Sequence, residues 1–258
     1  MTILQAYRFA SVIIIIGLYF CSSLFYECLF FFLPQRQQMN GTILHWFCRV
    51  LLKRLRFIVE LEGHGIEEIM QTNGALILPN HISYLDIVAI QSLLPCQFVT
   101  SNDIGRTAFL GHLCRRGGCI FINRKSRVDL QRNIDEITTQ LNLGGRLVLF
   151  PEGTTSPGDR ILPYKSSLLE AALRSRTKVF PLCIQYIEID GHPMTPAHND
   201  RVAWYGDMPF FPHLWKLMTV RSLRIRITFP GSISFRHHRS RKLLTQEIQE
   251  KTTHLLNQ

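Results

Sequence analysis

The sequence lacks the signatures of several large enzyme classes. It has no Gly-x-Ser-x-Gly turn, which argues against the serine site of an α/β-hydrolase. It has neither a Gly-x4-Gly-Lys-Ser/Thr loop nor a strand-linked Gly-x-Gly-x-x-Gly turn, so a nucleotide-binding enzyme is not expected. Internal repeats and low-complexity tails are also missing. Any active site must therefore be built from other residues.

Metal-binding and disulfide patterns are missing as well. The seven cysteines are odd in number, contain no Cys-x-x-Cys pair and have no His-x3-His partner. This argues against a zinc site and against a disulfide framework. We expect reduced cysteines that behave as apolar residues in a cytosolic environment, and no metal or other cofactor.

Negative charge is scarce. Lys and Arg number 29 against 19 Asp and Glu, which gives a net charge of +10 and a pI near 9.5. Such an excess favours an anionic partner: a nucleic acid, an anionic lipid or a phosphorylated substrate.

Charge is scarcest near the N-terminus. From Phe9 to Leu33 the one charged residue is Glu27, and the run exceeds the roughly 20 residues that cross a bilayer. We expect membrane insertion, as a span or a re-entrant hairpin; a buried core helix is the alternative. Only Arg8 precedes the run, whereas the basic residues that follow it are Arg36, Arg49, Lys53, Arg54 and Arg56. The positive-inside rule then predicts a cytoplasmic main domain.

The next segment, Ile43–Leu55, interleaves apolar and basic residues at near-helical spacing, and Trp46 suits an interface. It predicts an amphipathic helix on an anionic membrane face, with an ordinary surface helix as the alternative. We therefore divide the chain into a membrane-anchoring helical region, residues 1–56, and a main domain, residues 57–258. A membrane explains both the basic charge and the apolar N-terminus, so nucleic acid is not an expected partner.

Short apolar runs alternate with helical patterns in the main domain. The predicted strands are Phe57–Leu61, Ala75–Leu78, Gln97–Thr100, Cys119–Ile122, Arg146–Phe150, Lys178–Ile184 and Leu223–Phe229. The predicted helices are Tyr84–Leu93, Thr107–Arg116, Arg127–Asn142, Ser166–Arg174 and Arg239–Leu256. The alternation indicates an α/β fold, a mixed or parallel sheet flanked by helices. Asp190–Val220 contains Pro, Gly and aromatic residues, and we assign no regular element to it.

Chemically capable residues follow three of the predicted strands. The first strand end carries Asn80, His81 and Asp86; an Asp can hold a basic His in the right tautomer. Packing or helix capping is the alternative for this pair.

The second strand end carries Arg124 and Lys125, which suit an acidic head group or form a solvated surface pair. The third carries Glu152, Gly153, Thr154, Thr155 and Ser156. This turn can offer N–H groups and hydroxyls to an oxyanion, while Glu152 hydrogen-bonds a substrate hydroxyl or ties down the loop.

These segments, in this order, resemble the 1-acylglycerol-3-phosphate acyltransferase (lysophosphatidic acid acyltransferase) family. Asn80–Asp86 matches its His-x4-Asp motif, and Gly118–Arg124 looks like its second motif. Phe150–Ser156 is similar to the third, and Val179–Ile184 to the Pro-containing fourth. The resemblance covers roughly residues 75–185, and it implies a glycerol-3-phosphate acyltransferase-like fold.

The resemblance also implies roles for the residues. His81 would be the general base and Asp86 its orienting partner, while Asn80, Arg124 and the Glu152–Ser156 loop would bind substrate. The free hydroxyl of a lysolipid would attack an acyl thioester, acyl-CoA or acyl-carrier protein, without an acyl-enzyme. The expected setting is the cytoplasmic face of a membrane, in a bacterium the inner membrane.

One departure from the family pattern bears on the acceptor. The family's third motif commonly reads Glu-Gly-Thr-Arg-Ser, and Thr155 stands at the Arg position. We expect 1-acylglycerol-3-phosphate as the acceptor and phosphatidic acid as the product. Because Ala203–Trp215 resembles bacterial members that acylate lyso-ornithine lipid, another lysolipid is the alternative. A non-catalytic lipid-binding protein is the alternative from a different class.

Overall fold

A computed structural model describes residues 3–29, 36–123, 127–234 and 240–258 of the protein. The helices are α1 (Ile3–Leu29), α2 (Arg36–Leu55), α3 (Gly65–Gln71), α4 (Tyr84–Leu93), α5 (Asn102–Gly105), α6 (Ala108–Arg116), α7 (Arg127–Asn142), α8 (Glu170–Ser175), α9 (Asn199–Val202), α10 (Phe210–Leu217) and α11 (Arg241–Leu256). The strands are β1 (Phe57–Glu62), β2 (Ala75–Pro79), β3 (Gln97–Ser101), β4 (Ile120–Ile122), β5 (Arg146–Val148), β6 (Lys178–Ile189), β7 (His192–Pro193) and β8 (Leu223–Thr228).

The strands form one mixed sheet in the order β1-β8-β6-β2-β5-β3-β4, with β7 paired to β6. From β6 to β4 the neighbours are parallel, as are β1 and β8, whereas β6 and β8 are antiparallel. The predicted mixed α/β sheet is confirmed. Because β2, β5 and β4 run the same way, their carboxyl ends lie at one edge of the sheet, where functional residues of α/β proteins collect.

Strand β2 explains why the sheet is covered on both faces. All five of its residues are buried, as expected for a central parallel strand. Ala75 and Ile77 pack into a core that includes residues of α2, α4 and α10. Leu76 and Leu78 pack into a second core with residues of α7, α8 and α11. The two-residue side-chain period of a strand thus divides one apolar run between two helical layers.

Most predicted elements are present, with shifted ends. Every predicted strand has a counterpart, and β6 continues to Ile189. Two predicted boundaries lie outside the described residues: the end of the apolar run at Leu33 and the helix start at Arg239. Asp190–Val220, to which the sequence analysis assigned no element, contains β7, α9 and α10. Their short length and their Pro and Gly residues hide any long periodic pattern.

Helices α1 and α2 form an antiparallel pair. Tyr7 lies against Arg54, with the guanidinium 4.4 Å from the ring centroid, whereas Tyr19 lies against Phe47 at 5.6 Å between rings. The start of α1 is therefore beside the end of α2. Arg8 is buried there and donates to the carbonyl oxygens of Leu55 and Val220. Residues Ile3–Tyr26 are long and apolar enough to cross a bilayer, and most of that stretch is not buried in the protein.

Part of the basic charge is neutralised within the sheet. Strand β8 alternates buried Leu223, Ile225 and Ile227 with half-exposed arginines. Arg224 pairs with Glu60 on β1, and Arg226 pairs with Glu62 at 3.0 Å. These arginines hold neighbouring strands together and do not form an open cationic surface.

Candidate active site

The first part of the site is the turn from β2 into α4. Asp86 is the third residue of α4, where the N-terminal end of the helix dipole favours a carboxylate. Its Oδ2 accepts the backbone N–H groups of Ile82 at 2.6 Å and Ser83 at 2.9 Å. Asp86 is fully buried, so these bonds replace the water that a charged carboxylate would otherwise need.

His81 lies against this carboxylate. Its Nδ1 is 2.8 Å from Oδ2 of Asp86, and its ring stacks on Phe150 with 3.7 Å between centroids. A carboxylate at Nδ1 fixes the tautomer that carries the proton there, because an ionised carboxylate only accepts. The lone pair is then on Nε2, and the His81 side chain is 17% exposed. The arrangement is that of a general base.

Glu152 ties the third loop to the first. Its Oε1 accepts the backbone N–H of His81 at 2.8 Å, and its Oε2 accepts that of Leu162 at 3.0 Å. Burial raises the pKa of Glu152 to about 7, against the opposing effect of these two hydrogen bonds. The sequence left two roles open for Glu152, binding a substrate hydroxyl or tying down the loop. Its contacts show that it ties down the loop.

Asn80 and Ser156 also make contacts within the protein. The Asn80 amide donates to the carbonyl of Ile184 at 3.0 Å and accepts that residue's N–H at 2.7 Å, so it joins β6 to the turn after β2. The N–H of Ser156 donates to the carbonyl of His81 at 2.8 Å. Both side chains are almost completely buried, and their contacts hold the His81 backbone in place.

Sequence reasoning missed Tyr186. Its hydroxyl donates to Oδ1 of Asp86 at 2.7 Å, so both carboxylate oxygens are bonded. Burial, followed by the nearby Asp86 charge, raises the pKa of Tyr186 well above its ordinary value, which keeps the hydroxyl protonated. The sequence signal that could have indicated Tyr186 is its spacing in β6. Ile184 and Tyr186 are two residues apart, so they lie on the same side of the strand.

A second histidine was also missed. His213 on α10 is buried, and its Nδ1 lies 3.0 Å from the hydroxyl of Tyr84. Burial lowers the pKa of His213, which favours its neutral form. The Tyr84 ring also contacts Trp204 and Phe210, with 5.9 Å and 5.1 Å between centroids. This aromatic group forms one wall of the space beside His81.

That space is a cavity of about 460 Å³. Apolar residues of α1, α2, α4, α6 and α10 form most of its lining, and His81 and Phe150 line it together with Gly153, Thr154 and Thr155. Among the described residues, no Lys or Arg lines it. The cavity is therefore of a chemical character that suits a hydrocarbon chain, and His81 is part of its wall.

Two of the three predicted strand ends meet at this site. The His81 turn and the Glu152–Ser156 loop are joined by hydrogen bonds and line the same cavity. Arg124 and Lys125 lie outside the described residues. The end of β4 before them is held by Asn123, whose carbonyl accepts from the Asn133 side chain at 2.8 Å.

Together, the fold and the site define an α/β enzyme with a His–Asp pair beside an apolar cavity. The acyltransferase family model matches residues 60–185. The lyso-ornithine lipid O-acyltransferase of Rhizobium meliloti is 31% identical over 83% of this chain and 74% of its own. The 1-acyl-sn-glycerol-3-phosphate acyltransferase of Neisseria meningitidis is 30% identical over 69% and 68%. The chain belongs to the acyltransferase family, as the sequence motifs predicted.

The fold has a solved counterpart. The crystal structure of the 1-acyl-sn-glycerophosphate acyltransferase PlsC from Thermotoga maritima aligns with a TM-score of 0.70 and 19% identity, over 98% of this chain and 93% of that one. At this identity the match establishes the shared fold. The apolar helix α1 and the lipid-acyltransferase relatives together indicate association with a membrane.

Proposed function

We propose that the protein transfers a fatty acyl group from a thioester to the free hydroxyl of a lysolipid at a membrane surface. The observation that carries the proposal is the His81–Asp86 pair: Nδ1 is bonded to a buried carboxylate, and the ring lines an apolar cavity. A base in this position can remove the proton from a substrate hydroxyl, and the cavity is large and apolar enough for an acyl chain.

The proposed reaction has two steps. Nε2 of His81 removes the proton from the lysolipid hydroxyl while its oxygen attacks the thioester carbonyl carbon. The tetrahedral intermediate then collapses, the carbon–sulfur bond breaks, and the thiolate takes the proton from His81. The products are an ester and a free thiol. Asp86 stabilises the transient imidazolium, and no acyl-enzyme, metal or other cofactor is needed.

The loop that begins at Gly153 is our candidate for stabilising the tetrahedral intermediate. Gly153 has a φ of 72°, in the left-handed region that glycine adopts without strain, and Thr154 and Thr155 follow it along the cavity. Such a turn presents N–H and hydroxyl donors, which stabilise an oxyanion. The N–H of Gly153 itself donates to the carbonyl of Phe150 at 3.1 Å, so we assign this role to Thr154 and Thr155.

For the acceptor, 1-acylglycerol-3-phosphate is the first choice, with phosphatidic acid as the product and Arg124 as the phosphate ligand. A specific observation favours lyso-ornithine lipid as a second candidate. Thr155 replaces the family's Arg, and the described part of the cavity lining contains no Lys or Arg to pair with a phosphate. Acyl-CoA and acyl-carrier protein are both acidic donors that suit a chain of net charge +10.

The helix pair favours re-entrant attachment at the cytoplasmic face, in a bacterium the inner membrane. Arg8 fixes the start of α1 beside the end of α2, so both ends of the hairpin lie at the main domain. Lys53 and Arg54, in the last turn of α2, belong to the same end. Basic residues there suit the anionic cytoplasmic leaflet, while the apolar middle of α1 enters the lipid.

An acceptor panel tests this function. Purified protein in phospholipid micelles is given acyl-CoA or acyl-carrier protein with lysophosphatidate, other lysophospholipids or lyso-ornithine lipid, and products are identified by mass spectrometry. The proposal predicts a diacyl lipid from at least one acceptor. Release of free fatty acid alone with every acceptor would contradict acyl transfer, and binding without turnover would support a lipid-binding protein.

A further inference from the structure

Helix α10 has two apolar faces. Phe210, Leu214 and Leu217 recur at the four- and three-residue spacing of one helix face, and all three line the cavity. Phe211 and Trp215, also four residues apart, are 55% and 36% exposed. We call these two residues the outer face of α10. One side of the helix is thus a cavity wall, and the other is an aromatic surface that the described protein leaves partly exposed.

The outer face is unusual within the main domain. Among the described residues from 57 onward, Phe211 and Trp215 are the large aromatic hydrophobic side chains that remain exposed. Isolated exposed aliphatic residues are common on soluble proteins, but adjacent exposed aromatics indicate a binding surface. Trp in particular is enriched where protein meets the membrane–water interface.

Contacts make the outer face continuous with α1. The ring of Phe9 meets Trp215 edge to face at 5.1 Å, and Gln5 donates to the carbonyl of Trp215 at 3.1 Å. On the other side, Phe211 lies 5.6 Å from Phe109, which lines the cavity. The surface therefore extends from the apolar helix α1 to the cavity wall.

Basic residues lie at the end of α10. Lys216 and Arg221 are exposed there. Arg8, bonded to both Val220 and Leu55, places them close to the basic end of α2. An aromatic face with basic residues at its end matches an anionic bilayer, whose head groups attract the cations while the rings lie below them.

We propose that the outer face of α10 inserts into the lipid surface and forms a second membrane contact beside the cavity, next to the one that α1 makes. This rests on the proposed function, because it explains how a lipid held in the bilayer reaches the cavity. The same helix contacts the bilayer with Phe211 and Trp215 and the bound acyl chain with Phe210, Leu214 and Leu217.

Tryptophan quenching tests the contact without requiring turnover. The chain has three Trp residues, so W46F and W46F/W215F proteins differ only in the emission of Trp215. Both full-length proteins are incorporated into vesicles of three parts phosphatidylcholine and one part phosphatidylglycerol, with or without acyl chains brominated near the head group. The proposal predicts that bromolipid quenches the Trp215 contribution and that vesicles protect it from acrylamide.

Two results would overturn the proposal. One is a Trp215 contribution that acrylamide quenches equally with and without vesicles and that bromolipid leaves unchanged. The other is emission that changes with protein concentration in detergent and not with bromolipid, which would mean that a second copy covers the face.

An activity comparison tests whether the contact serves catalysis. F211S/W215S should lower kcat/KM roughly tenfold for lysolipid embedded in vesicles, and leave it unchanged for lysolipid in detergent micelles. The matched control L143S/L243S removes two side chains that are 67% and 58% exposed and should change neither value. An equal loss in vesicles and micelles would indicate a packing role and contradict the proposal. If the unaltered chain transfers no acyl group in either format, the proposed function fails, while the quenching result stands by itself.

Discussion

Tyr186 donates its hydroxyl to Oδ1 of Asp86 over 2.7 Å, although the two residues are 100 positions apart in the chain. The other oxygen of Asp86 is shared by His81 and the N–H groups of Ile82 and Ser83. The carboxylate that contacts His81 is thus held from two directions, by the start of its own helix and by β6. The His-x4-Asp spacing describes only the first of these.

Removal of the Tyr186 hydroxyl should weaken catalysis without unfolding the protein. A hydrogen bond to a charged group contributes about 1.5–3 kcal/mol, so Tyr186→Phe should lower kcat by roughly ten- to a hundredfold and leave KM nearly unchanged. The control is Tyr205→Phe, which removes a 2.7 Å hydrogen bond to Asp200 at the surface. Steady-state kinetics check both. A raised KM at normal kcat would mean that Tyr186 contacts substrate instead.

Neutralising Asp86 should lower kcat by more than removal of the Tyr186 hydroxyl does. In Asp86→Asn the amide oxygen can replace Oδ2, and the amide N–H2 can donate to Tyr186, so the geometry survives while the charge is lost. By analogy with other His–Asp pairs, kcat should fall about 10³- to 10⁴-fold. The measurement is kcat at saturating acceptor, with circular dichroism to verify the fold. Activity within tenfold of the unaltered protein would show that the carboxylate charge is dispensable.

Glu152 should make stability depend on pH. Its pKa is about 7 in the folded protein against an ordinary 4.5, so folding binds a proton between these values. A carboxyl whose pKa is raised on folding stabilises at low pH, and that contribution is lost as pH rises from about 4.5 through about 7. Urea unfolding in detergent should therefore give a lower free energy of unfolding at pH 7.5 than at pH 5.

The control for this effect is Glu152→Gln, which cannot titrate. Its free energy of unfolding should differ less between pH 5 and pH 7.5 than that of the unaltered protein. It should also be less active, because one amide oxygen cannot accept from both His81 and Leu162, and an unsatisfied buried N–H costs about 1–3 kcal/mol. An unchanged pH dependence in the Gln protein would assign the titration to another group.

Thr155 should influence the choice of acceptor. Thr155→Arg restores the family's commoner residue on a loop that lines the cavity, and a guanidinium binds phosphate through two hydrogen bonds. The ratio of kcat/KM for lysophosphatidate to that for lyso-ornithine lipid should rise about tenfold or more. Thr155→Val, which adds no charge, is the matched control. An equal change in kcat/KM for both acceptors would show that Thr155 does not contribute to acceptor recognition.

The sequence predicted the sheet well because its strands are apolar runs with clear ends. Ala75–Leu78 is followed at once by polar residues, and burial on both faces requires the continuous apolar pattern that was observed. Helix α10 escaped prediction because Pro212 and the aromatic residues of an eight-residue helix give too short a periodic signal. Its place on the cavity wall depends on packing that no local pattern records.

The sequence predicted the motifs of the candidate site, but it did not predict the contacts from other strands that hold those motifs in position. His81 and Asp86 are five residues apart, so one turn of chain brings them together. Tyr186 reaches Asp86 only through the alignment of β6 with β2, and Asn80 binds Ile184 through the same alignment. Contacts of this kind depend on which strands become neighbours, a property of the whole sheet.

The most direct test of the account is thiol release by His81→Ala. The unaltered protein, given acyl thioester and lysolipid, should release one free thiol for each diacyl lipid formed. His81→Ala should lose both products together by a factor of about 10³ or more, because the described residues that line the cavity include no Asp, Glu, Lys or second His to take the hydroxyl proton. His192→Ala, which alters an exposed histidine on β7, should behave as the unaltered protein. Diacyl lipid formation by His81→Ala at a comparable rate would contradict the assignment of His81 as the base.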